Sequence, residues 1–255
     1  MELQAQAKNT ITRSRVRRLL ALSLAAGVIS MYATARPAVA QCRPGDVLIG
    51  EDAAYWYCSS PVTPSDVADA LQYSVGKMNP GLLGAAFRLR KEIIDVAGCL
   101  ARNGTVYAFG AKLPTSSGCT QNARVDCSGL YDHAAEAAAA FVATYYCSAA
   151  QSSALRMLGT SAQGQRDQFA RFGAYESVAS GYVPLPGDAM FFAGTDGDRA
   201  GITHVAIYLG TGRDGRTLMI NASSKAGKVI ITTLSGELSA KLVGYGDIAR
   251  LYGAL

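Results

Sequence analysis

A single alanine-rich run followed by a row of short apolar runs between turns constrains this chain more than any other feature. Leu130 to Ala143 has strong helix propensity and small side chains over much of its surface, so the helix it forms can pack closely on a sheet. Beyond a polar, glutamine-rich stretch from Ala150 to Ala179 come Ala189 to Ala193, His204 to Leu209, Thr217 to Ala222, Lys228 to Thr233 and Ile248 to Tyr252. Each has strand length and is bounded by turn signals such as Arg213-Asp214-Gly215. One helix followed by successive strands on turns predicts an antiparallel sheet packed by a helix, an α+β layout. Upstream, helical periodicity runs through Ser65 to Met78 (Val67, Leu71, Val75) and again through Phe87 to Leu100, with Asn79-Pro80-Gly81 as the break. This part, 41–103, reads as a small helical region without chemistry of its own. Its Tyr55-Trp56-Tyr57 cluster is of the kind that usually fills a core. With 255 residues, 49% hydrophobic and 17% charged, the chain is long and apolar enough to fold around such a core.

The first forty residues read differently. Arg13, Arg15, Arg17 and Arg18 form a basic start, Leu19 to about Ala33 an apolar run, and Ala38-Val39-Ala40 a small-residue cleavage site, the three parts of an export signal. The run of about 15 residues falls short of the roughly 20 that span a bilayer, so the expectation is a chain starting at Gln41 with no membrane span. The formal charge of +5 is concentrated in that leader, and no basic stripe with interleaved aromatics follows it. Nucleic-acid binding is therefore not expected. Six cysteines (Cys42, Cys58, Cys99, Cys119, Cys127, Cys147) suit an oxidising compartment, a periplasm or the exterior. If Cys127 stays free, at most two bridges form, with Cys42–Cys58 and Cys119–Cys147 as the candidates.

Cys127 follows Asp126 at the expected start of the alanine-rich helix, where unpaired N–H groups and the macrodipole favour a thiolate. Ser128-Gly129 adds capping and close backbone approach, which a merely packed thiol would not need. Such a nucleophile needs a base and a group that orients it. His133 sits six residues on, about 600° around the helix, and points away as a surface or packing residue. His204 opens a strand whose alternation puts His204, Ala206 and Tyr208 on one face. Asn221, polar amid apolar neighbours on the next strand, can lie alongside that imidazole, with Ser223 of the same parity as the fallback. Two histidines and scattered cysteines give no metal-ligand spacing, so neither a metal nor another cofactor is expected.

Three blocks in order, Asp126-Cys127-Ser128-Gly129-Leu130, Pro186-Gly187-Asp188-Ala189-Met190-Phe191-Phe192 and His204-Val205-Ala206-Ile207-Tyr208-Leu209-Gly210, resemble the NlpC-type cell-wall cysteine peptidases from about Asn103 to Thr233. The resemblance implies a papain-like fold, catalytic Cys127 and His204, and Asn221 as the third member. It implies hydrolysis of peptide bonds in peptidoglycan stem peptides by an exported enzyme. Tyr107, in Tyr107-Ala108-Phe109-Gly110, maps to a tyrosine near the oxyanion and substrate. Asp126 and Ser128 map to positions that grip the free amine of the stem peptide in some members. The chain departs from the pattern in extra residues between Tyr107 and Cys127 and in a longer stretch between Cys127 and Pro186. The expected division is a signal (1–40), a helical region (41–103) and a catalytic domain (104–255). An amidase or acyltransferase of the same fold and a non-catalytic wall-binding module are the alternatives.

Overall fold

The computed structural model describes residues 47–51, 56–59, 62–75, 84–114, 119–146, 158–197, 200–234 and 236–253. The leader 1–40, Cys42 and Cys147 lie outside them, as do the side chains of Trp56, Tyr57 and Cys58. In chain order the elements are β1 (Val47–Glu51), β2 (Trp56–Ser59), α1 (Pro64–Val75), α2 (Ala85–Arg102), β3 (Val106–Tyr107), β4 (Arg124–Val125) and α3 (Cys127–Tyr146). There follow α4 (Ala162–Arg171), β5 (Tyr175–Ser177), β6 (Ala189–Ala193), β7 (Ile202–Thr211), β8 (Thr217–Ser223), β9 (Lys228–Thr233), α5 (Gly236–Ala240), β10 (Leu242–Gly246) and α6 (Ile248–Leu251). The α+β layout is as expected. Eight strands form one sheet in the order β4-β3-β9-β8-β7-β6-β10-β5, antiparallel except for the short β3–β4 pair. A separate β1–β2 hairpin occupies part of the region expected to be helical.

Alternation divides the central strands between two cores. Phe191, Val205, Ile207, Leu209, Ile220 and Ala222 face α2 and α3, where Leu89, Ile93, Leu100, Leu130 and Tyr131 are buried with them. Ala134, Ala135 and Ala138 are also fully buried, so the small side chains let α3 lie close against its neighbours. The other face carries a smaller cluster of Met190, Phe192, Ala206, Tyr208 and Met219, covered by Leu238, Leu242 and Tyr245.

Two local expectations are corrected, and a stretch in which no element is expected contains two. Ile248 to Tyr252 is not a strand. Asp247 accepts from the Ala249 and Arg250 N–H groups at 3.1 and 3.2 Å and starts a short helix there, while Leu242–Gly246 takes the place in the sheet. The glutamine-rich stretch contains α4, started by Ser161 Oγ accepting from Gly164 N at 3.1 Å, and β5. Cys119 pairs with Cys99 of α2 rather than with Cys147, their Cα atoms 5.9 Å apart. The fold sets Cys119 beside the end of α2, a neighbour that order along the chain does not reveal.

Residues 45–255 form one compact unit, and α2 is fastened inside it by charge. The Arg90 guanidinium, almost fully buried, donates to Asp188 and, at 2.7 Å, to Asp247. Asp188 Oδ2 also accepts from the Tyr182 hydroxyl at 2.8 Å and from Leu185 N at 2.7 Å. Gly187 has φ +95, and a Cβ there would lie 3.1 Å from Arg90 Cα. The Pro186-Gly187-Asp188 block therefore locks α2 to the sheet, with the glycine required both for its backbone and for the close approach.

Candidate active site

Asp126 is the N-cap of α3. Its Oδ1 accepts from Gly129 N at 2.6 Å and its carbonyl from Leu130 N at 2.9 Å, which fixes the first turn and so the position of Cys127. Cys127 carries a free, half-buried thiol. Burial pushes the thiol above its ordinary range, while the backbone N–H groups of Val205 and Ser128 and the nearby Lys112 charge pull it down. The contact with Val205 matters for placement, because it brings the sulfur to the residue after His204.

His204 is partly exposed at the start of β7, paired across the sheet with Phe192, its ring centroid 5.6 Å from that of Phe192. Loss of hydration beside this ring pulls the imidazole well down, to about 4, and the Asn221 side chain and the Asp126 charge only partly oppose it. His204 and Asn221 alternate onto the same face of neighbouring strands. Asn221 is buried, and its Oδ1 has no partner of good hydrogen-bond geometry among the described residues. That amide nevertheless lies close enough to favour the protonated imidazole, so its oxygen is the acceptor at hand for a ring N–H. Ser223 is engaged elsewhere: its Oγ accepts from Ala226 N at 3.1 Å in the turn that follows β8. His133 is buried in the interior of α3, a packing residue rather than a surface one.

Tyr107 comes to the same place despite the inserted residues. Burial and the nearby Cys127, Asp126 and Asp196 raise its hydroxyl pKa, which puts the phenol within electrostatic reach of the thiol. Asp126 and Ser128 are already occupied. Lys112 Nζ lies 2.6 Å from Asp126 Oδ1 and 2.6 Å from Ser128 Oγ, so the two residues that the resemblance assigns to a substrate amine hold an ammonium of the chain itself. Sequence reasoning missed Lys112, and it missed two glutamines of α4. Gln165, fully buried, donates to Ser128 O at 2.8 Å, and Gln163 Oε1 accepts from Ile202 N at 2.8 Å, two residues before His204. One helix thus braces both the turn that carries Cys127 and the strand that carries His204. The cap at Ser161 was the available signal for that helix. Among the described residues no group of three or more His, Cys, Asp or Glu side chains could hold a metal.

The sequence profile of the NlpC/P60 family matches residues 104–244, more than half of the chain and all the residues just described. The chain belongs to the NlpC/P60 family. Its papain-like α+β domain is the arrangement of the sheet and of the helix begun by Cys127 described above. Solved structures similar to this NlpC/P60 chain include a lipoprotein-like NLP/P60 family protein of Staphylococcus aureus, with 25% identity over 62% of this chain and 40% of that one and a TM-score of 0.39. An NlpC/P60 family protein of Bacillus cereus shows 16% identity over 62% and 39%, also with a TM-score of 0.39. The peptidoglycan hydrolase RipB of Mycobacterium tuberculosis shows 19% identity over 74% and 73%, with a TM-score of 0.40. The chain spans about two fifths of the first two proteins. No curated protein matches it.

Proposed function

We propose that the chain is an exported cysteine peptidase that hydrolyses peptide bonds in peptidoglycan stem peptides. The observation that carries this reading is the free Cys127 thiol at the start of α3, held by the Val205 N–H beside His204, with Asn221 next to the imidazole. A packed cysteine would need none of these neighbours. The family membership supplies the substrate class, and the Cys99–Cys119 bridge suits the oxidising compartment in which cell walls are met.

In the proposed reaction His204 takes the Cys127 proton as the sulfur bonds to the scissile carbonyl carbon, and the carbonyl oxygen gains the negative charge. The Cys127 N–H, with the Tyr107 hydroxyl, stabilises that oxygen, a donor being worth roughly 3 kcal/mol of barrier. The C–N bond then breaks, His204 returns the proton to the leaving amine, and the chain is held as a thioester. Water, deprotonated by His204, attacks the thioester, releasing the carboxyl product and restoring the thiol. Asn221 keeps the ring in the tautomer that presents its free nitrogen to the sulfur.

The pKa directions give this reaction a starting state. With the thiol raised and the imidazole lowered to about 4, both groups are neutral near pH 7 and proton transfer accompanies attack. Thiolate absorbance at 240 nm, taken as wild type minus Cys127→Ser, is expected to stay flat through neutral pH and rise only in the alkaline range. As a base that must be neutral, His204 should lose activity only as pH falls through about 4. A thiolate band already present at pH 6 would instead mean a resting ion pair.

The reading itself is tested by digesting purified sacculi and weighing the products. Stem-peptide fragments cut within the peptide are expected. Whole stem peptides freed at the lactoyl bond would make the chain an amidase, and an unchanged wall would argue against hydrolysis altogether.

A further inference from the structure

The segment 110–112 crosses the first turn of α3 and is tied to it at every residue. Gly110 N donates to Asp126 Oδ2 at 3.1 Å, Ala111 O accepts from Asp126 N at 3.1 Å, and Lys112 Nζ reaches Asp126 Oδ1 and Ser128 Oγ. Ser128 Oγ lies 3.0 Å from the same carboxylate, which also caps Gly129 N. A Cβ at Gly129 would stand 2.5 Å from Ala111 O and 3.0 Å from Lys112 Cδ, so the bare glycine is what lets the segment close down. Three of the four donors, Lys112 Nζ, Ser128 Oγ and Gly129 N, converge on Oδ1, and Gly110 N takes Oδ2. The two residues that flank the nucleophile in sequence thus carry an internal cation. Lys112 also sits close enough to act on the Cys127 sulfur, and its side chain, 29% exposed, is open to the solvent side. Whatever a substrate places against Asp126 and Ser128 must therefore meet an ammonium already there.

We propose that Lys112 is a specificity residue, a built-in counter-charge that closes the acidic position beside Cys127 to substrates bearing a free ammonium and favours stem peptides whose N-terminus is acylated. A second ammonium would have to share the single negative charge of Asp126 with Lys112 or displace it, whereas a neutral amide adds no like charge. The consequence is a place in a reaction order: the chain acts on stem peptides still amide-linked to their glycan, before any reaction that frees their amine. This inference rests on the peptidase reading given above.

The test uses two stem peptides of one sequence, N-terminally free and N-acetylated, and the kcat/KM of the wild type, Lys112→Met and Lys112→Arg on each. The wild type and Lys112→Arg are expected to favour the acetylated peptide by about tenfold or more, and Lys112→Met to shift the ratio towards the free amine by a similar factor, through KM. Melting curves of the three proteins separate a selectivity change from a loss of fold. A wild-type ratio near one overturns the assignment whatever the variants do, and so does a well-folded Lys112→Met protein with an unchanged ratio. Cleavage of neither peptide would bring down the peptidase reading and this inference with it.

Discussion

A Cys127→Ala protein is expected to leave sacculi intact while melting close to the wild type. The side chain is half-buried at the edge of the larger core, and alanine removes only the sulfur from it, so the fold should survive. The chemistry should not. Without the sulfur no thioester forms, and loss of a nucleophile that works as a unit with its base typically costs kcat about 10⁴-fold or more. His204→Ala should fall nearly as far, because the thiol would lose its proton acceptor while burial still opposes the thiolate. Asn221→Ala should lose less than either, since Asn221 orients the ring and exchanges no proton. Zymography and fragment release measure all three. Undiminished clearing by Cys127→Ala would remove the nucleophile assignment, and a fully active Asn221→Ala protein would leave the imidazole without its proposed orienter.

Arg90→Met is expected to cost stability on a scale that few single substitutions reach. It removes the cation from between two carboxylates that stay buried, Asp188 fully and Asp247 nearly so. Breaking a buried pair in this way costs about 3–5 kcal/mol, which for a unit of this size lowers Tm by roughly 10 °C. Burial already pushes Asp188 upward and Arg90 opposes it, so the variant should take up a proton at Asp188 at a higher pH than the wild type. Thermal melting by circular dichroism measures the loss. A Tm within about 2 °C of wild type would mean that the ion cluster contributes little to the fold. Activity should fall with temperature in step with unfolding, not at the chemical step, because Arg90 touches none of the reacting groups.

How much of this was legible in the sequence depended on whether a residue's neighbours lay near it in the chain. Cys127 could be placed at a helix start from Asp126 and the alanines after it, and His204 and Asn221 from strand alternation. Ala189–Ala193 and Lys228–Thr233 have the expected bounds because turn residues flank them on both sides. Leu242–Gly246 was hidden by its glycines, whose reason is packing: a Cβ at Gly244 would lie 2.5 Å from Glu176 O, and one at Gly246 would lie 2.7 Å from the Phe169 ring. Ile248 to Tyr252 is too short an apolar run for periodicity to separate helix from strand, and the Asp247 cap decides it. In α4 the usual rule is reversed, since the polar Gln165 points inward to serve a carbonyl. Lys112 could not be found at all by local reasoning, because its partner carboxylate is fourteen residues away and only the folded segment joins them.

The Arg90 anchor also says what the smallest transferable unit of this protein is. A fragment cut at residue 104, where the family profile begins, would keep Cys127, His204 and Asn221. It would lose the guanidinium that holds the Pro186-Gly187-Asp188 turn, the Cys99 half of the bridge, and the helix against which Leu130 and Tyr131 are buried. Grafting this NlpC/P60 domain onto another carrier, or shuffling it with its relatives, should therefore move α2 and the half that carries Cys127 and His204 together as one cassette.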